Sequence, residues 1–353
     1  MKKKEINRRD FLKYVAAGGG VLMAGGIPLP RMASAKTKFT LAVAGGSWGA
    51  GNRKVFLEDN GFQKKFNLDV EYHHQIDSVI VAQAIANKDN PIFDVISGMS
   101  GNAVKTYVAG ATAELDLNIV TNWPDIYAQA KFPNYVAGFC LLNYGLVYNT
   151  KHVKRPESFK DLWNPKYKGR VGLPQYGWMG NYFLHGINKL FGGNEDDVTP
   201  GIDALADLMK KQNPIMVQNT DHAMKLFTAE EIVIMSFWDG RTRMLQARGV
   251  PVDFVWAKNF IAFFNGMWVM KNNKIPRTCM EFVNASLDPD AQIEFMKIFK
   301  YSPTNRKCKF PSGYENARVT EKELDNAADL DWVKVVGNLE KNMELWNKKV
   351  LGG

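Results

Sequence analysis

The chain has 353 residues, 46% hydrophobic and 23% charged, with a formal net charge of +9, and its length exceeds the usual size of one hydrophobic core, so two lobes are expected. Seven basic and two acidic residues fall within the first 35 positions, which leaves residues 36–353 with 38 basic and 34 acidic side chains, a net +4. No run in that part is dense enough in Lys and Arg to build a nucleic-acid surface.

Residues 1–35 have the three-part order of a cleaved export segment. Met1 to Lys13 is basic, with Lys2, Lys3, Lys4, Arg8, Arg9 and Lys13; Tyr14 to Pro28 is apolar; Ala33-Ser34-Ala35 supplies small residues for cleavage. A membrane anchor needs about 20 consecutive apolar residues, and Gly18, Gly19, Gly20, Gly25 and Gly26 interrupt this stretch. Asn7-Arg8-Arg9-Asp10-Phe11-Leu12-Lys13 resembles the twin-arginine motif. That likeness implies export of a folded protein to the periplasm, with cleavage after Ala35. No lipobox cysteine follows the apolar region, so a lipid anchor is not expected.

The exported part opens with Phe39 to Ala44, an apolar run that reads as a buried strand entering a tight turn at Gly45-Gly46. Arg53 to Phe66 has helical spacing of Val55, Phe56, Phe62 and Phe66. Leu68 to Tyr72 alternates like a strand, Val79 to Asn87 reads as a helix and Phe93 to Ile96 as a strand. Such alternation predicts an α/β layer with a largely parallel sheet. The same grammar continues with strands at Gly145–Tyr148, Gly169–Leu173, Ile232–Ser236 and Val252–Trp256. Helices are expected at Ser158–Trp163, with Ser158 as N-cap and Asp161 three residues on, at Gly180–Leu190, and at Ile202–Lys211 with Ile202, Leu205, Ala206 and Met209 on one face. Asp288-Pro289-Asp290 reads as a solvated turn, and Asp331–Lys349 as an amphipathic helical stretch.

Ligands of open α/β sheets bind beyond the carboxyl ends of the strands. Three such ends carry glycine with hydroxyls or an indole: Gly45-Gly46-Ser47-Trp48, Ser97-Gly98-Met99-Ser100-Gly101 and Phe237-Trp238-Asp239-Gly240-Arg241. Glycine admits close backbone approach, and Trp offers a flat face for stacking or for a cation. Arg241 suits bidentate binding of a carboxylate or phosphate, or an ion pair with Asp239. Trp178 and Asn181 stand at a helix start, where anions are favoured.

Enzyme motifs do not emerge. Gly45 to Gly51 lacks the Gly-Lys-Ser/Thr ending of a P-loop. There is no Gly-x-Ser-x-Gly elbow, no His-Glu-x-x-His and no Cys/His metal spacing. Adjacent His73 and His74 point to opposite faces of a strand and are poor joint ligands. Neither metal nor cofactor is expected, although a twin-arginine-exported cofactor enzyme is the rival class. The three cysteines, none in a C-x-x-C pattern, exclude a complete disulfide framework. Either one bridge forms, Cys279–Cys308 being an option, or all three are free.

Gly145-Leu146-Val147-Tyr148-Asn149-Thr150-Lys151, the stretch Pro156 to Val171, Trp238 to Arg241, Gly249 to Val255 and Tyr301 to Asn305 occur in order and at consistent spacing. On these segments the chain resembles the periplasmic solute-binding proteins of ABC importers, specifically the spermidine/putrescine-binding group. The resemblance implies an α/β two-lobe clamshell, each lobe a mixed sheet flanked by helices, that traps a small solute and docks on an inner-membrane permease. It implies crossovers near Cys140–Asn143 and Asn265–Trp268. The lobes would then be discontinuous: residues 36–141 and 266–310 form lobe 1, residues 142–265 lobe 2, and residues 311–353 a C-terminal helical segment. A monomer is expected. Carried over, Trp48, Ser97 to Gly101 and Trp238 match pocket positions of the family. By the resemblance, its ammonium-binding carboxylates fall near Trp178, Asn181 and Asn265, none acidic. A desolvated cation needs an opposite charge, so the departures favour a carboxylate, phosphonate or other polar solute. A polyamine paired with Asp239 is the alternative. The expected contacts are Ser47, Trp48, Ser97, Met99, Ser100, Trp178, Asn181, Trp238, Asp239, Arg241 and Asn265.

Overall fold

The computed structural model describes residues 35–352, so the expected export segment lies, apart from Ala35, outside the described residues. Strand β1 (Thr37–Ala44) buries Phe39, Leu41 and Val43 at alternate positions, and runs parallel to β2 (Leu68–Gln75) and β3 (Val95–Met99). Helix α1 (Gly46–Arg53) and helix α2 (Asp77–Ala86) follow β1 and β2, and β3 runs directly into α3 (Ser100–Val108). The chain continues through β4 (Lys131–Phe132), β5 (Val136–Asn149), β6 (Gly172–Pro174), α4 (Asn181–Leu190), α5 (Thr199–Gln212), β7 (Ile215–Val217), α6 (Thr220–Thr228), β8 (Ile234–Trp238), α7 (Asp239–Ala247) and β9 (Val252–Val255). It ends with β10 (Ile261–Val269), α8 (Pro276–Ser286), α9 (Pro289–Phe299), β11 (Ser302–Pro303), α10 (Trp332–Gly337) and α11 (Leu339–Lys349).

The main sheet has the order β11-β5-β10-β3-β1-β2, with β4, β8 and β9 also pairing to β5. All 14 residues of β5 are buried. Its first part pairs with β10 from Ala137 to Tyr144, and its last part with β8 and β9 from Tyr144 to Asn149. One strand therefore serves two strand groups, the second extended by a bridge from Val171 to Ile234 and by the parallel pair β6–β7. The crossovers expected at Cys140–Asn143 and Asn265–Trp268 fall inside β5 and β10. Between Asn265 and Gly266 the register slips opposite Cys140 and Gly138, leaving Phe139 as an extra residue, a bulge that bends the strand. A Cβ on Gly138 would meet Ala130 O at 2.8 Å, and one on Gly266 would meet Ala137 O at 2.6 Å. Both positions therefore need glycine for close backbone approach.

Several local expectations change in the fold. The turn expected at Gly45-Gly46 is brief: Gly46 takes φ +70° and α1 starts at once, continuing into a π-helical stretch over Lys54–Asp59. The glycines of α1 serve packing, since a Cβ on Gly51 would lie 2.4 Å from the Phe299 ring and one on Gly49 2.7 Å from Ala44 O. The expected strand at Gly145–Tyr148 is the last third of β5, because a strand buried on both faces shows no alternation. Ser158 does cap a short helix, its Oγ accepting from Lys160 N while Asp161 accepts from Ser158 N. Asp288 is the N-cap of α9, accepting from Asp290 N and Ala291 N, rather than part of a free turn. The C-terminal helical stretch divides at Asn338. All three cysteines are free, so the Cys279–Cys308 bridge is not formed: Cys279 Sγ donates to Asn273 Oδ1 and Cys308 Sγ to Pro289 O.

Two outcomes follow from this packing. Gly266→Ala forces a methyl group against the opposing backbone, an overpacking worth about 1–3 kcal/mol. The urea midpoint should fall accordingly, and an unchanged midpoint would show that the bulge can shift to admit it. His185, buried in α4 with no partner on Nε2, has its pKa lowered from 6.5 to about 4 by burial, with Glu195 acting in the opposite direction. The unfolded chain takes up a proton below pH 6.5 that the folded chain refuses until about pH 4. Stability is thus complete above pH 6.5 and is lost as pH falls toward 4. His185→Gln should flatten the stability profile across that interval; a profile of unchanged slope would assign the dependence to other groups.

Candidate functional site

The carboxyl ends of β1, β2, β3 and β8 lead into α1, α2, α3 and α7, and the sequence-predicted residues divide among these ends. Ser47 is exposed. Trp48 is half-buried and its ring packs among other aromatics: Phe299 at 4.7 Å, Phe295 at 5.1 Å and Tyr301 at 6.0 Å between centroids. Ser97 faces inward and donates to Asn52 Oδ1 at 2.8 Å. Asn181 accepts from Tyr182 N at the start of α4.

A second set lies where β3, β5, β8 and β10 meet. Trp238 ends β8 with its ring 4.8 Å from Tyr144 and 5.6 Å from Phe263. Trp178 is 6.4 Å from Tyr144, edge to face. Met99 stands opposite Asn265 in the β3–β10 register, and Ser100 opens α3. The polar atoms on these elements that are buried with no protein partner include Ser100 Oγ, Asn265 Oδ1 and the Tyr144 hydroxyl, as well as Asn143 Oδ1, Ser236 Oγ and Trp268 Nε1. Buried polar groups are nearly always hydrogen-bonded, so the unpartnered Tyr144 hydroxyl, on a ring in contact with Trp178 and Trp238, has the character of a ligand contact.

Asp239 behaves differently from the expected ligand anchor. It is fully buried, its Oδ1 accepts from Asn143 N and Gly240 N, and its Oδ2 accepts from Asn143 Nδ2 and Arg243 Nη1. Those four donors occupy the lone pairs of the carboxylate. The pairing of Asp239 is with Arg243, one helical turn on at 3.0 Å, and not with Arg241. Arg243 also donates to Lys300 O and Asn316 O. Arg241 is half-buried, its Nη1 lies 3.3 Å from the Met244 sulfur, and it stands beside the Tyr301 hydroxyl. Among the described residues no carboxylate lies within ion-pair distance of Arg241.

Sequence reasoning missed an acidic group at the end of β2. Asp77 begins α2, accepts from Asn102 Nδ2 at 3.0 Å, and has its pKa raised by burial. Tyr182 of α4 lies near it, with a hydroxyl pKa pushed up to about 12 by burial and then by Asp77. A Cβ on Gly101 would meet the Tyr182 hydroxyl at 2.5 Å, so α3 and α4 touch here. Position at a strand end was the available signal for Asp77. Trp332 was missed as well: from the C-terminal segment it reaches Phe263 at 5.3 Å and Tyr182 at 5.9 Å.

A cavity of about 330 Å³ adjoins this region, lined by Ser100, Ala262, Phe264, Trp332 and residues of segments 129–132 and 324–330. A larger one, about 490 Å³, lies between α8, α9 and the stretch around Phe62. None of the predicted site residues lines it, and its walls are rich in carboxylates. Among the described residues no three His, Cys, Asp or Glu side chains group as metal ligands, and no helix is long and apolar enough to cross a membrane.

A family model described as bacterial extracellular solute-binding protein matches residues 59–319. The spermidine/putrescine-binding periplasmic protein of Escherichia coli (strain K12) is 23% identical over 309 residues, covering 83% of this chain and 87% of that protein. A crystal structure of an ABC transporter protein from Clostridium perfringens ATCC 13124 superposes with a TM-score of 0.78 at 20% identity, covering 88% of this chain and 99% of that one. The Atu4243-GABA receptor does so with a TM-score of 0.75 at 17% identity, covering 90% and 98%. At these identities the structural likenesses establish a shared two-lobe binding-protein fold.

The Asp239–Arg243 pair is a buried network, so Asp239→Ala should cost about 3–5 kcal/mol by stranding the guanidinium. Urea unfolding measures this directly. A loss below about 1 kcal/mol would mean that the pair does not hold α7 against β5.

Proposed function

The chain belongs to the bacterial extracellular solute-binding protein family, and from that premise we propose that it is the substrate-binding component of an ABC import system. It captures a small organic solute between two lobes and hands it to a membrane permease. The observation that carries the site is the set of unpartnered Tyr144 hydroxyl, Asn265 Oδ1 and Ser100 Oγ, with Tyr144 in ring contact with Trp238 and Trp178 and Asn265 opposite Met99, the residue before Ser100. The indoles hold the apolar body of the solute, and the three polar atoms gain their missing hydrogen bonds when it binds. Met99 completes the wall. Arg241, free of carboxylate partners, is positioned to meet an anionic head, which supports a carboxylate, phosphonate or related polar solute.

Two observations favour a second reading, an amine. The curated relative named above binds spermidine and putrescine by its name, and Asp77 offers a partly buried carboxylate held by a single donor, Asn102. Asp239, with every lone pair occupied, is not the anchor in either case. Residues 36–141 and 266–310 form the first lobe and residues 142–265 the second, with β5 and β10 as crossovers. Export follows the twin-arginine route to the periplasm, with cleavage after Ala35, and the receptor works there as a monomer.

Thermal-shift screening of carboxylates, phosphonates, amino acids and polyamines separates the readings, because a ligand of the folded state stabilises by mass action. Strong stabilisation by polyamines alone would overturn the preference for an anionic head. With the ligand found, Trp238→Ala should weaken binding at least about tenfold, a loss of roughly 1.4 kcal/mol. An unchanged Kd would remove Trp238 from the site.

A further inference from the structure

Two glycines hold corresponding places in the fold. Gly101 is the second residue of α3, which β3 enters directly, and Gly240 is the second residue of α7, which β8 enters directly. Both are buried, and each faces a tyrosine. A Cβ on Gly101 would lie 2.5 Å from the Tyr182 hydroxyl and 3.3 Å from its Cζ, and one on Gly240 would lie 2.6 Å from the Tyr301 ring. In the lobe division proposed above, both contacts cross from one lobe to the other: Gly101 and Tyr301 belong to lobe 1, Tyr182 and Gly240 to lobe 2. The two contacts differ in leverage. Tyr301 adjoins β11, which pairs with β5 at Leu141 and Cys140, so the Gly240 contact sits at the crossover, where a hinge rotation moves it least. The Gly101 contact joins the starts of α3 and α4, which no backbone hydrogen bond connects among the described residues.

Both sides of the Gly101 contact are held in place. Asn102 Nδ2 donates to Asp77 Oδ2 at 3.0 Å and fixes the first turn of α3 to α2, and α10 packs on α3. The Tyr182 side chain is buried, with its ring 5.0 Å from Phe263 and 5.9 Å from Trp332. Trp332 in turn belongs to a segment tied to lobe 2 by the Tyr176 hydroxyl on Leu339 O, by Lys334 with Asp196 and by Lys349 with Asp203. Close-packed interiors transmit a displacement instead of absorbing it. We propose that Gly101 is the closing stop of the two lobes: the Tyr182 hydroxyl seats where a side chain would stand, and the missing Cβ sets how far the lobes close on a solute. This rests on the solute-binding reading and adds a positioning residue to it, since Gly101 acts through the lobes and not on the solute. A methyl group at this place overpacks the contact, so the lobes halt before they reach the arrangement of this structure. A cleft held ajar leaves its solute open to water and releases it sooner, and differences in affinity among variants of one site lie mostly in the rate of release.

The test reads the distance between the lobes by pulsed electron paramagnetic resonance on residues 36–353. Nitroxides go on Asp89→Cys in lobe 1 and Lys210→Cys in lobe 2, both exposed positions, in a Cys308→Ser background. The chain is measured alone and with the strongest stabiliser from the thermal-shift screen. Gly101→Ala should move the shortest populated distance to a longer value and raise the Kd of that stabiliser at least about tenfold through faster release. Adding Tyr182→Phe, which removes the oxygen that the methyl group meets, should restore both. Tyr182→Phe alone retracts the stop and should shorten that distance, a readout that holds even where Gly101→Ala fails to fold. An unchanged shortest distance in either single variant, or no recovery in the double variant, overturns the stop and leaves the solute-binding reading intact. A screen that finds no solute overturns that reading instead, and the distances of the chain alone still decide the stop.

Discussion

The arrangement of the molecule depends on β5, a strand with 14 consecutive buried residues that pairs on both edges along its length. Burial on both faces requires a chain with few polar side chains, and the two polar residues that interrupt its middle are handled locally. Asn143 donates its N and Nδ2 to Asp239, and the Tyr144 ring contacts those of Trp238 and Trp178. The extra residue at Phe139, and glycines on both strands where backbones approach, allow β5 and β10 to bend without losing their pairing. Only β5 goes on to pair with β8 and β9, while β10 pairs with β5 and β3.

Hydrogen-bond partners separate the polar groups that serve structure from those left unpartnered. Asp239 has the residue type of an amine anchor and stands at a strand end, yet four donors converge on it and Arg243 neutralises it. A buried pair of this kind is retained by geometry: removing either member strands the other in a low-dielectric interior. Ser100, Asn265 and Tyr144, by contrast, are buried without partners. Such groups are costly in a fold unless something else completes them. The distinction lies in hydrogen-bond accounting and not in residue type, and it moves attention from Asp239 toward Ser100, Asn265 and Tyr144.

The aromatic residues divide in a similar way. Trp48 belongs with Phe295, Phe299 and Tyr301, where its area holds α1 to α9. Trp238, Tyr144, Phe263 and Trp332 form a chain of ring contacts that crosses from β8 to the C-terminal segment. The C-terminal segment is tied to the second strand group by Tyr176 to Leu339 O, Lys334 to Asp196 and Lys349 to Asp203. It therefore contributes to the cavity wall while held to the part that carries Trp178.

Periodicity and turn chemistry were enough to read from the sequence the α/β alternation, the strand at Phe39–Ala44, the Ser158 cap and the helix over Ile202–Lys211, because those signals are local. The ordered motifs from Gly145 to Asn305 were enough to read the family. Tertiary structure alone decided the rest, for reasons of contact. The length of β5 was hidden because a strand covered on both faces does not alternate. The glycines of α1 pack against Phe299 and Ala44 O, which no spacing rule reveals. The partner of Asp239 was Arg243 and not Arg241, since on a helix four residues bring side chains together and two do not. Gly101 and Tyr182, far apart in the chain, meet only after α3 and α4 have been brought together.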